Sequence, residues 1–459
     1  MTTENQYPTI HTIGLSTTYT ANLIEFHSTS EANFVYAFNN AMARKHRRKN
    51  FIKTIHDLHP VLLAIANTNI QLTNLQSSWL PDYKIQTFSI NLPKLCLDIE
   101  FKIGDLTVTG NYETNNLKLR NVLPVTNTGT VTVNYLNAEL KGRVGLLIEG
   151  DSFMPENFDV EYSKEKSEVI VSYYVDKDTK VENQVTAEQE EQIIADKIWI
   201  QLTEEITNIL RETLREVIVE FSVEESLGNE DELLREYVVS QTRKANALFD
   251  VLLCSAKDHL VESKLQILET PGFEVLYKGK PSSTITGIFD SGRGLIKDLS
   301  SLSRLSDLSL FEDEHQLLVY GTLTIRDFRH DYENFSTTFD GNHLTGSLKA
   351  QIYELKIFVK LSFDRNEEKN GKAKVEKLEV RSLRGIHVDT SGLGSLSWLI
   401  PNTQSWLIGH LRATTLDILL KRIESVFSYA TNNELKKSQA QYPEGENSRQ
   451  FWRNIFSKN

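Results

Sequence analysis

Hydrophobic residues recur along this chain with two different periods. From Lys94 to Ile103 apolar and polar residues alternate strictly, which predicts a β-strand with one buried and one solvated face. Shorter alternating runs follow at 106–108, 131–135, 144–148 and 169–175, with turn residues between them. No helical segment separates these runs, so the pattern predicts an antiparallel meander that begins after Pro81.

A helix is predicted ahead of this sheet. Ser28 and Glu31 have the spacing of a capping box, in which the two residues satisfy free amide groups at a helix start. Apolar residues follow at helical spacing as far as Ile55 and Leu58, and Pro60 is expected to break or kink the helix. The first 27 residues are polar and rich in threonine, and we expect an extended lead-in there.

A longer helix is predicted from about residue 187 to residue 221. Its apolar residues fall at every fourth position, namely Ile194, Ile198, Leu202, Ile206, Leu210, Leu214 and Ile218. Four residues advance a helix by about 400°, so this row drifts by about 40° at each step and winds around the helix. A flat surface would favour mixed steps of three and four residues. The drift is typical of a helix enclosed by a strongly twisted sheet, and a broad core helix is the alternative.

The order of elements then starts again. A polar, acidic stretch at 222–231 contains Gly228 and predicts a domain boundary near residue 226. A helix is predicted at about 231–266, ended by Pro271, and a last helix at about 402–431. Between them, strands are predicted around 317–319, 344–352, 357–361 and 375–380. We therefore predict a lead-in at 1–27, a first module at 28–226, a second at 227–432 and a flexible tail at 433–459.

Three short segments recur in the same order in both halves. Leu80-Pro81-Asp82-Tyr83 corresponds to 270–273, the segment 106–110 to 317–321, and Leu140-Lys141-Gly142 to 344–346. A repeat of about 200 residues indicates domain duplication and not a solenoid.

Composition and charge restrict the function. Hydrophobic residues make up 40%, and 62 acidic against 50 basic residues give a net charge of −12. This is an ordinary soluble composition, and its acidity argues against a nucleic-acid-binding protein. No run approaches the ~18 consecutive apolar residues of a membrane span.

Two cysteines and the N-terminal segment indicate a cellular compartment. Cys96 and Cys254 do not form a disulfide framework or a metal-ligand pattern, so we expect free thiols in a reducing compartment. The N-terminal segment lacks the basic and apolar regions of a signal peptide. We expect a cytoplasmic protein, or an extracellular one if a signal segment precedes this sequence.

The sequence contains no motif that predicts an enzyme, a cofactor or a metal. No nucleophile elbow is present, and Pro281 interrupts the segment that most resembles a phosphate loop. His56 and His59 lie one helical turn apart, but no third ligand is nearby, so surface histidines are expected. His410 lies inside an apolar helix and is expected to be a satisfied, partly buried histidine.

The second half resembles a known family. The resemblance covers about 260–427 and is most specific at 374–383, at Gly392-Leu393-Gly394 and in the Trp/Leu/Ile-rich start of the last helix. These segments are similar to the group 7 mite allergens, which belong with insect juvenile-hormone-binding and takeout-like proteins to the superfamily typified by bactericidal permeability-increasing protein. The resemblance implies an α+β fold with two tandem modules, each a curved antiparallel sheet wrapped around a long helix. Secreted takeout-like members carry a signal peptide and an N-terminal cysteine pair, and neither is present here.

The resemblance also implies an apolar tunnel between sheet and helix that takes lipids. We therefore expect a non-enzymatic protein that binds and transports, or senses, fatty acids, phospholipids or terpenoid-like ligands. The candidate lining residues are inward strand positions and sheet-facing helix positions. They are Leu97, Ile99, Phe101, Val108, Val133, Tyr135, Leu146, Ile198, Leu202, Ile206, Leu210, Val319, Leu348, Ile352, Ile357, Val359, Trp398, Trp406, Leu407 and Leu411.

The alternative is a structural or interaction protein that keeps the fold and fills the tunnel with its own side chains. Candidates for filling it are Phe88, Phe101, Trp199, Trp398 and Trp406. The sequence does not indicate an oligomeric state.

Two further segments suggest transient membrane contact. The basic run at 44–49 contains Arg44, Arg47 and Arg48 and would attract anionic lipid, although a solvated helix face has the same pattern. The terminal segment contains Trp452 and Phe456, which suit a membrane interface, a partner groove or docking onto the protein itself.

Overall fold

The fold is given by a computed structural model. It describes residues 36, 40, 55–65, 68–78, 84–91, 94–116, 126–150, 152–176, 179–185, 189–218, 232–279, 285–312, 316–364 and 373–441. Tyr36 and Asn40 are helical. The predicted lead-in, the basic run at 44–49, the boundary near residue 226 and the segment with Trp452 and Phe456 lie outside these residues.

The first sheet has nine strands, and every pairing in it is antiparallel. The strands are β1 (Ile55–Asp57), β2 (Val61–Ile65), β3 (Thr68–Ser78), β4 (Lys84–Asn91), β5 (Cys96–Asn116), β6 (Thr126–Glu149), β7 (Ser152–Ser163), β8 (Lys166–Asp176) and β9 (Thr179–Val185). The main path runs β1-β3-β5-β6-β8-β9, with β2, β4 and β7 paired beside it.

The central strands of this sheet are long and curve at bulges. β5 has 21 residues and β6 has 24 residues. Their register shifts on both sides of Gly104, which has a φ of 89°. Only glycine adopts this backbone conformation readily, so the sequence itself places a bend in the middle of the sheet.

The helix α1 (Gln189–Ile218) packs into the first sheet. All seven residues of the predicted row, from Ile194 to Ile218, are at most 2% exposed. They belong to one hydrophobic cluster that also contains side chains from strands β2 to β8. The first sheet and, at Ala413, the second module together cover the whole winding row. The helix is therefore enclosed, as predicted.

The second sheet is also nine-stranded and antiparallel. It is preceded by α2 (Glu232–Glu262). Its strands are β10 (Leu268–Thr270), β11 (Glu274–Lys278), β12 (Thr286–Asp290), β13 (Gly294–Lys297), β14 (Ser303–Arg304), β15 (Ser309–Glu312), β16 (Gln316–Phe339), β17 (Asn342–Asp364) and β18 (Ala373–Ser391).

Two joined helices close the second module. After a 3-10 helix at Gly394–Leu399 come α3 (Ile400–His410), a π-helical turn (Leu411–Thr415) and α4 (Leu416–Gln441). They share one hydrophobic cluster with α2 and the inner face of the second sheet. The predicted fold class, α+β with curved antiparallel sheets packed around long helices, is confirmed.

Several sequence expectations were wrong in detail. Residues 55–57 form a strand and not a helix, and the sheet begins there and not after Pro81. His56 and His59 therefore do not share a helix face. In addition, α2 ends at Glu262, so that β10 precedes Pro271, and the two strands predicted at 344–352 and 357–361 are the single strand β17.

The two modules exchange side chains where they meet. Leu62 of β2 lies in the hydrophobic cluster of the second module, whereas Ala413 of the π-helical turn lies in that of the first.

Strand β7 pairs only with β6 among the described strands, so its other edge has no neighbouring strand. Basic side chains of the second sheet cover this edge. Arg381 donates to Phe158 O at 2.5 Å, Lys377 to Val160 O at 2.7 Å, and Lys360 to Asp159 at 2.6 Å.

Candidate functional site

A row of aromatic rings runs from the surface into the second module. Trp398 lies 6.0 Å from Tyr277, which lies 5.8 Å from Trp406, measured between ring centroids. Phe289 follows at 5.4 Å from Trp406 and Phe273 at 5.9 Å from Phe289. We refer to these rings, together with Tyr332 at 5.8 Å from Phe273, as the aromatic row.

The outer end of the aromatic row is open to solvent and its inner end is not. Trp398 is 41% exposed, whereas Trp406 is 1% and Tyr332 is 0% exposed. Phe339 packs against both Trp398 and Tyr277 at the outer end, at 5.7 and 5.8 Å. Ile285, just before β12, is also 41% exposed. The aromatic row therefore joins an exposed apolar surface at Trp398 to the buried interior of the second module.

The inner end of the row meets a group of buried polar side chains. His330 Nε2 and Thr270 Oγ1 are 2.8 Å apart, and His330 is fully buried. The hydroxyl of Tyr332 lies near those of Thr270 and Thr415. However, the hydroxyls of Tyr332 and Thr415 and the Nδ1 atom of His330 have no partner at hydrogen-bond geometry. We call Thr270, His330, Tyr332 and Thr415 the inner polar group.

Buried polar atoms without partners are uncommon, because each one loses its hydrogen bonds to water. Three such atoms lie together at the buried inner end of the aromatic row. A molecule with one carboxyl, hydroxyl or carbonyl group would satisfy them while its apolar part lies along the rings.

The histidines near the row are held neutral. Burial lowers the pKa of His330 to about 3, with the neighbouring His410 adding to the effect. Burial also lowers the pKa of His410 to about 4, although its bond to Pro271 O opposes this. Because a carbonyl only accepts, Nε2 of His410 carries the proton in its 3.0 Å bond to Pro271 O. His410 is thus satisfied and buried, as the sequence predicted.

A glycine makes room for the inner polar group. A Cβ on Gly294 would lie 2.5 Å from Thr270 Oγ1, 2.6 Å from His330 Nε2 and 2.7 Å from Tyr332 Cζ. These distances are far below van der Waals contact, so β13 passes this close only because residue 294 has no side chain.

The predicted lining residues have different environments. All of those in the first module are at most 3% exposed, and they share one cluster. In the second module the strand positions and Trp406, Leu407 and Leu411 are at most 1% exposed. Trp398 is the exception, since its 41% exposure places it at the mouth and not in the lining. The membrane-contact candidates Arg44, Arg47, Arg48, Trp452 and Phe456 lie outside the described residues.

Sequence reasoning missed most of the aromatic row and all of the inner polar group. Tyr277, Phe289 and His330 were not proposed, although the apolar run Val275-Leu276-Tyr277 is a readable strand signal. Of the residues proposed to fill a tunnel, Phe88 and Phe101 are buried, and Trp199 is partly buried against Tyr135 at 4.9 Å.

Small cavities are lined by described residues. One of about 70 Å³ lies between the modules, beside Leu95, Leu146, Gln241 and Leu308, and one of about 10 Å³ lies beside Leu299 and Phe427. Both are smaller than the roughly 300–1,000 Å³ of a typical ligand pocket. Within the described ranges, no group of His, Cys, Asp and Glu side chains has the arrangement of a metal site. No helix in these ranges has the length and apolar character needed to cross a membrane.

Comparisons with known proteins bear on the second module. Residues 244–429 match a family model described as "Group 7 allergen". The second module therefore resembles that family, as the sequence indicated. No curated protein matches the chain.

Two solved structures are similar in parts. Takeout 1 of Epiphyas postvittana has 17% identity, with 42% of this chain and 87% of that chain covered and a TM-score of 0.23. A lipopolysaccharide binding protein has 8% identity, with 87% of this chain and 90% of that chain covered and a TM-score of 0.20.

Proposed function

We propose that the protein binds hydrophobic small molecules between sheet and helix, without catalysing a reaction. In the second module the ligand enters beside Trp398, lies along the aromatic row and places its polar end against the inner polar group. The observation that carries this proposal is the continuous row of aromatic rings that links an exposed tryptophan to three buried polar atoms without hydrogen-bond partners. A fatty acid or a terpenoid-like acid or alcohol has this chemistry.

The free energy gained by burying an acyl chain is large enough to support binding. Burying a methylene group is worth about 0.8 kcal/mol, so a long acyl chain contributes on the order of 10 kcal/mol before losses. Losses of ligand freedom take back several kcal/mol, which still leaves micromolar binding. A hydrogen bond from the inner polar group would select ligands with a polar end, because an unpaired buried hydroxyl is costly.

The family match supports the proposal because the matched residues include the whole candidate site. The span 244–429 contains every residue of the aromatic row and of the inner polar group.

A second candidate function is favoured by the packing of Trp406. This side chain is 1% exposed and lies against Tyr277 and Phe289 at 5.8 and 5.4 Å. Its Nε1 donates to Gln71 Oε1 of the first module at 3.1 Å. In this alternative the aromatic row fills the compartment itself, and the protein has a structural or interaction role.

Native mass spectrometry of gently purified protein, with solvent extraction, tests the two candidates. Binding predicts a co-purifying lipid and displacement of a fluorescent fatty-acid probe. The variant Trp398→Ala should slow probe uptake, whereas Tyr429→Ala, an exposed aromatic on α4 outside the row, should not. Ligand-free protein together with no probe displacement would reject the binding proposal in favour of the structural one.

The polar end of the ligand is tested by Tyr332→Phe. This change removes a hydroxyl that has no partner at hydrogen-bond geometry and keeps the ring, so the unliganded protein should lose little stability. The variant should bind a fatty acid more weakly and bind an apolar probe that lacks a polar end with unchanged affinity. Equal effects on both probes would place the polar end of the ligand elsewhere.

A further inference from the structure

Three arginines converge where the modules meet. Arg211 and Arg215 lie one turn apart on α1, and Arg381 comes from β18 of the second sheet. Strand β7 brings them together through Phe158. The Arg211 guanidinium lies 4.9 Å from the Phe158 ring centroid, and Arg381 donates to Phe158 O at 2.5 Å. Two residues earlier on the same strand, Glu156 pairs with Arg215.

The carboxylates that pair with these arginines are too few to balance their positive charge. Glu156 pairs with Arg215, while Glu379 lies 3.2 Å from Arg381 and 3.3 Å from Lys377. Within the described part of the chain, Arg211 has only a neutral hydrogen-bond acceptor, Asn208 Oδ1 at 3.3 Å. The Nε atoms of all three arginines are buried and have no partner. Arg381 is 5% exposed, so its unpaired Nε–H is out of reach of bulk water.

The pKa of Arg211 reflects the same excess of positive charge. Burial lowers the pKa of Arg211, and although Glu156 opposes this, Arg381 and Arg215 lower it further. The guanidinium nevertheless stays charged, because its ordinary pKa is far above neutrality. Like charges held together out of water are costly unless a counter-charge offsets them.

We propose that Arg211, Arg215 and Arg381 form a binding site for a phosphate group at the junction of the two modules. A phosphate oxygen accepts well from guanidinium N–H groups, and their planar fork suits two oxygens at once. The Arg215 side chain is 42% exposed, so the site opens to solvent on that side. Tyr162 lies near Arg211 and Arg381, and its hydroxyl is already bonded to Thr207 Oγ1 at 2.7 Å. The proposal does not rest on ligand binding in the aromatic row.

A phosphate group has two sources, a free phosphate or a phospholipid headgroup. The full chain is titrated calorimetrically with inorganic phosphate and, separately, with a short-chain phosphatidylcholine below its micelle concentration. Binding of inorganic phosphate indicates a free-anion site, and binding of the phospholipid alone indicates a headgroup site. Binding of either should weaken as sodium chloride is added, because the contact is ionic.

The variants Arg211→Gln and Arg215→Gln identify the site. Each should weaken binding by about tenfold or more, because each removes a charge-assisted donor. Arg293→Gln is the matched control, since that side chain is 86% exposed and pairs only with the exposed Glu269 among the described residues. Thermal melting without ligand checks that each variant folds, and the partly exposed Arg215 provides the informative variant if Arg211→Gln does not fold. Absence of binding to both probes, or equal binding by Arg211→Gln, Arg215→Gln and Arg293→Gln, would overturn the proposal.

Discussion

Arg412 donates to Glu204 at 3.2 Å across the junction of the two modules, and their side chains are only 6% and 8% exposed. Arg412 lies in the π-helical turn that separates α3 from α4, and Glu204 lies on α1. The next residue, Ala413, is buried in the first module's cluster. The wide turn thus directs two consecutive residues into the neighbouring module, which agrees with the use of π-helical turns at special contacts.

Replacing one partner of this pair should strongly destabilise the protein. Burial raises the pKa of Glu204, and Arg412 is the main group that opposes this rise. In Arg412→Met the carboxylate is left buried and unpaired, at a cost of about 3–5 kcal/mol. The melting temperature measures this loss.

The double variant Arg412→Met/Glu204→Met should recover most of the lost stability, since removing both charges is often neutral. The comparison pair is Lys197–Asp417, which also joins the modules, at 2.6 Å, but with Asp417 51% exposed. Lys197→Met should cost at most about 1 kcal/mol. Equal losses for Arg412→Met and Lys197→Met would show that burial does not set the energy of the first pair.

The elements that were predicted correctly are those in which apolar residues repeat with a regular period along the element itself. The strand at Leu97–Ile103 and the row Ile194–Ile218 each present one continuous buried surface, so spacing alone reveals the buried side. Residues 55–57 were predicted to be helical because Ile55 and Leu58 fit helical spacing, and the strand at 61–65 was not predicted. Strands β1 and β2 form by pairing with β3, and Leu62 of β2 packs in the second module. These contacts join residues that are distant in sequence, so a local pattern does not show them.

The candidate site was harder to predict for a related reason. Tyr332 and His330 alternate in β16 like ordinary core residues, and no pattern shows whether a buried hydroxyl finds a partner. Trp398 lies on a 3-10 helix, where the direction of the side chain depends on how the helix starts and not on a repeating period.

Gly409 should not tolerate a side chain, although it lies inside a helix. Alanine at an interior helix position normally adds about 1 kcal/mol of stability over glycine. Here a Cβ would lie 2.9 Å from the backbone nitrogen of Leu62 and 3.1 Å from its Cβ. Because a backbone atom of β2 must move, Gly409→Ala should lower the unfolding free energy by about 1–3 kcal/mol.

Differential scanning calorimetry measures the effect of Gly409→Ala. Ser405→Ala in the same helix, at a half-buried position, is the control and should change the melting temperature little. A higher melting temperature for Gly409→Ala would show that helix propensity outweighs the contact with β2.

The two tryptophans of the aromatic row should differ in their contribution to stability. Trp406→Ala removes a side chain that is 1% exposed, together with the bond to Gln71, and should cost about 3–5 kcal/mol. Trp398→Ala removes a ring that is 41% exposed and should cost much less. Urea unfolding of both variants measures the difference. A similar loss for both would place Trp398 in the core and remove it from the mouth of the site.

Acid should destabilise the protein through His330 and His410. Their folded-state pKa values, lowered by burial to about 3 and about 4, lie below the ordinary 6.5 of the unfolded chain. Below about pH 6.5 both histidines are therefore protonated in the unfolded state but remain neutral in the folded state. The free energy of unfolding falls as the pH falls. Each histidine contributes about 1.4 kcal/mol per pH unit through the window from about pH 6 to pH 4.5, and nothing above pH 7.5.

Urea unfolding at several pH values measures this slope. His410→Gln keeps an N–H donor for Pro271 O but does not titrate, so its stability should depend less steeply on pH than that of the unmodified protein. His343→Gln replaces an exposed histidine and is the matched control. If His410→Gln and the unmodified protein lose stability equally between pH 6.5 and pH 4.5, other groups cause the acid sensitivity and His410 is not held neutral by the fold.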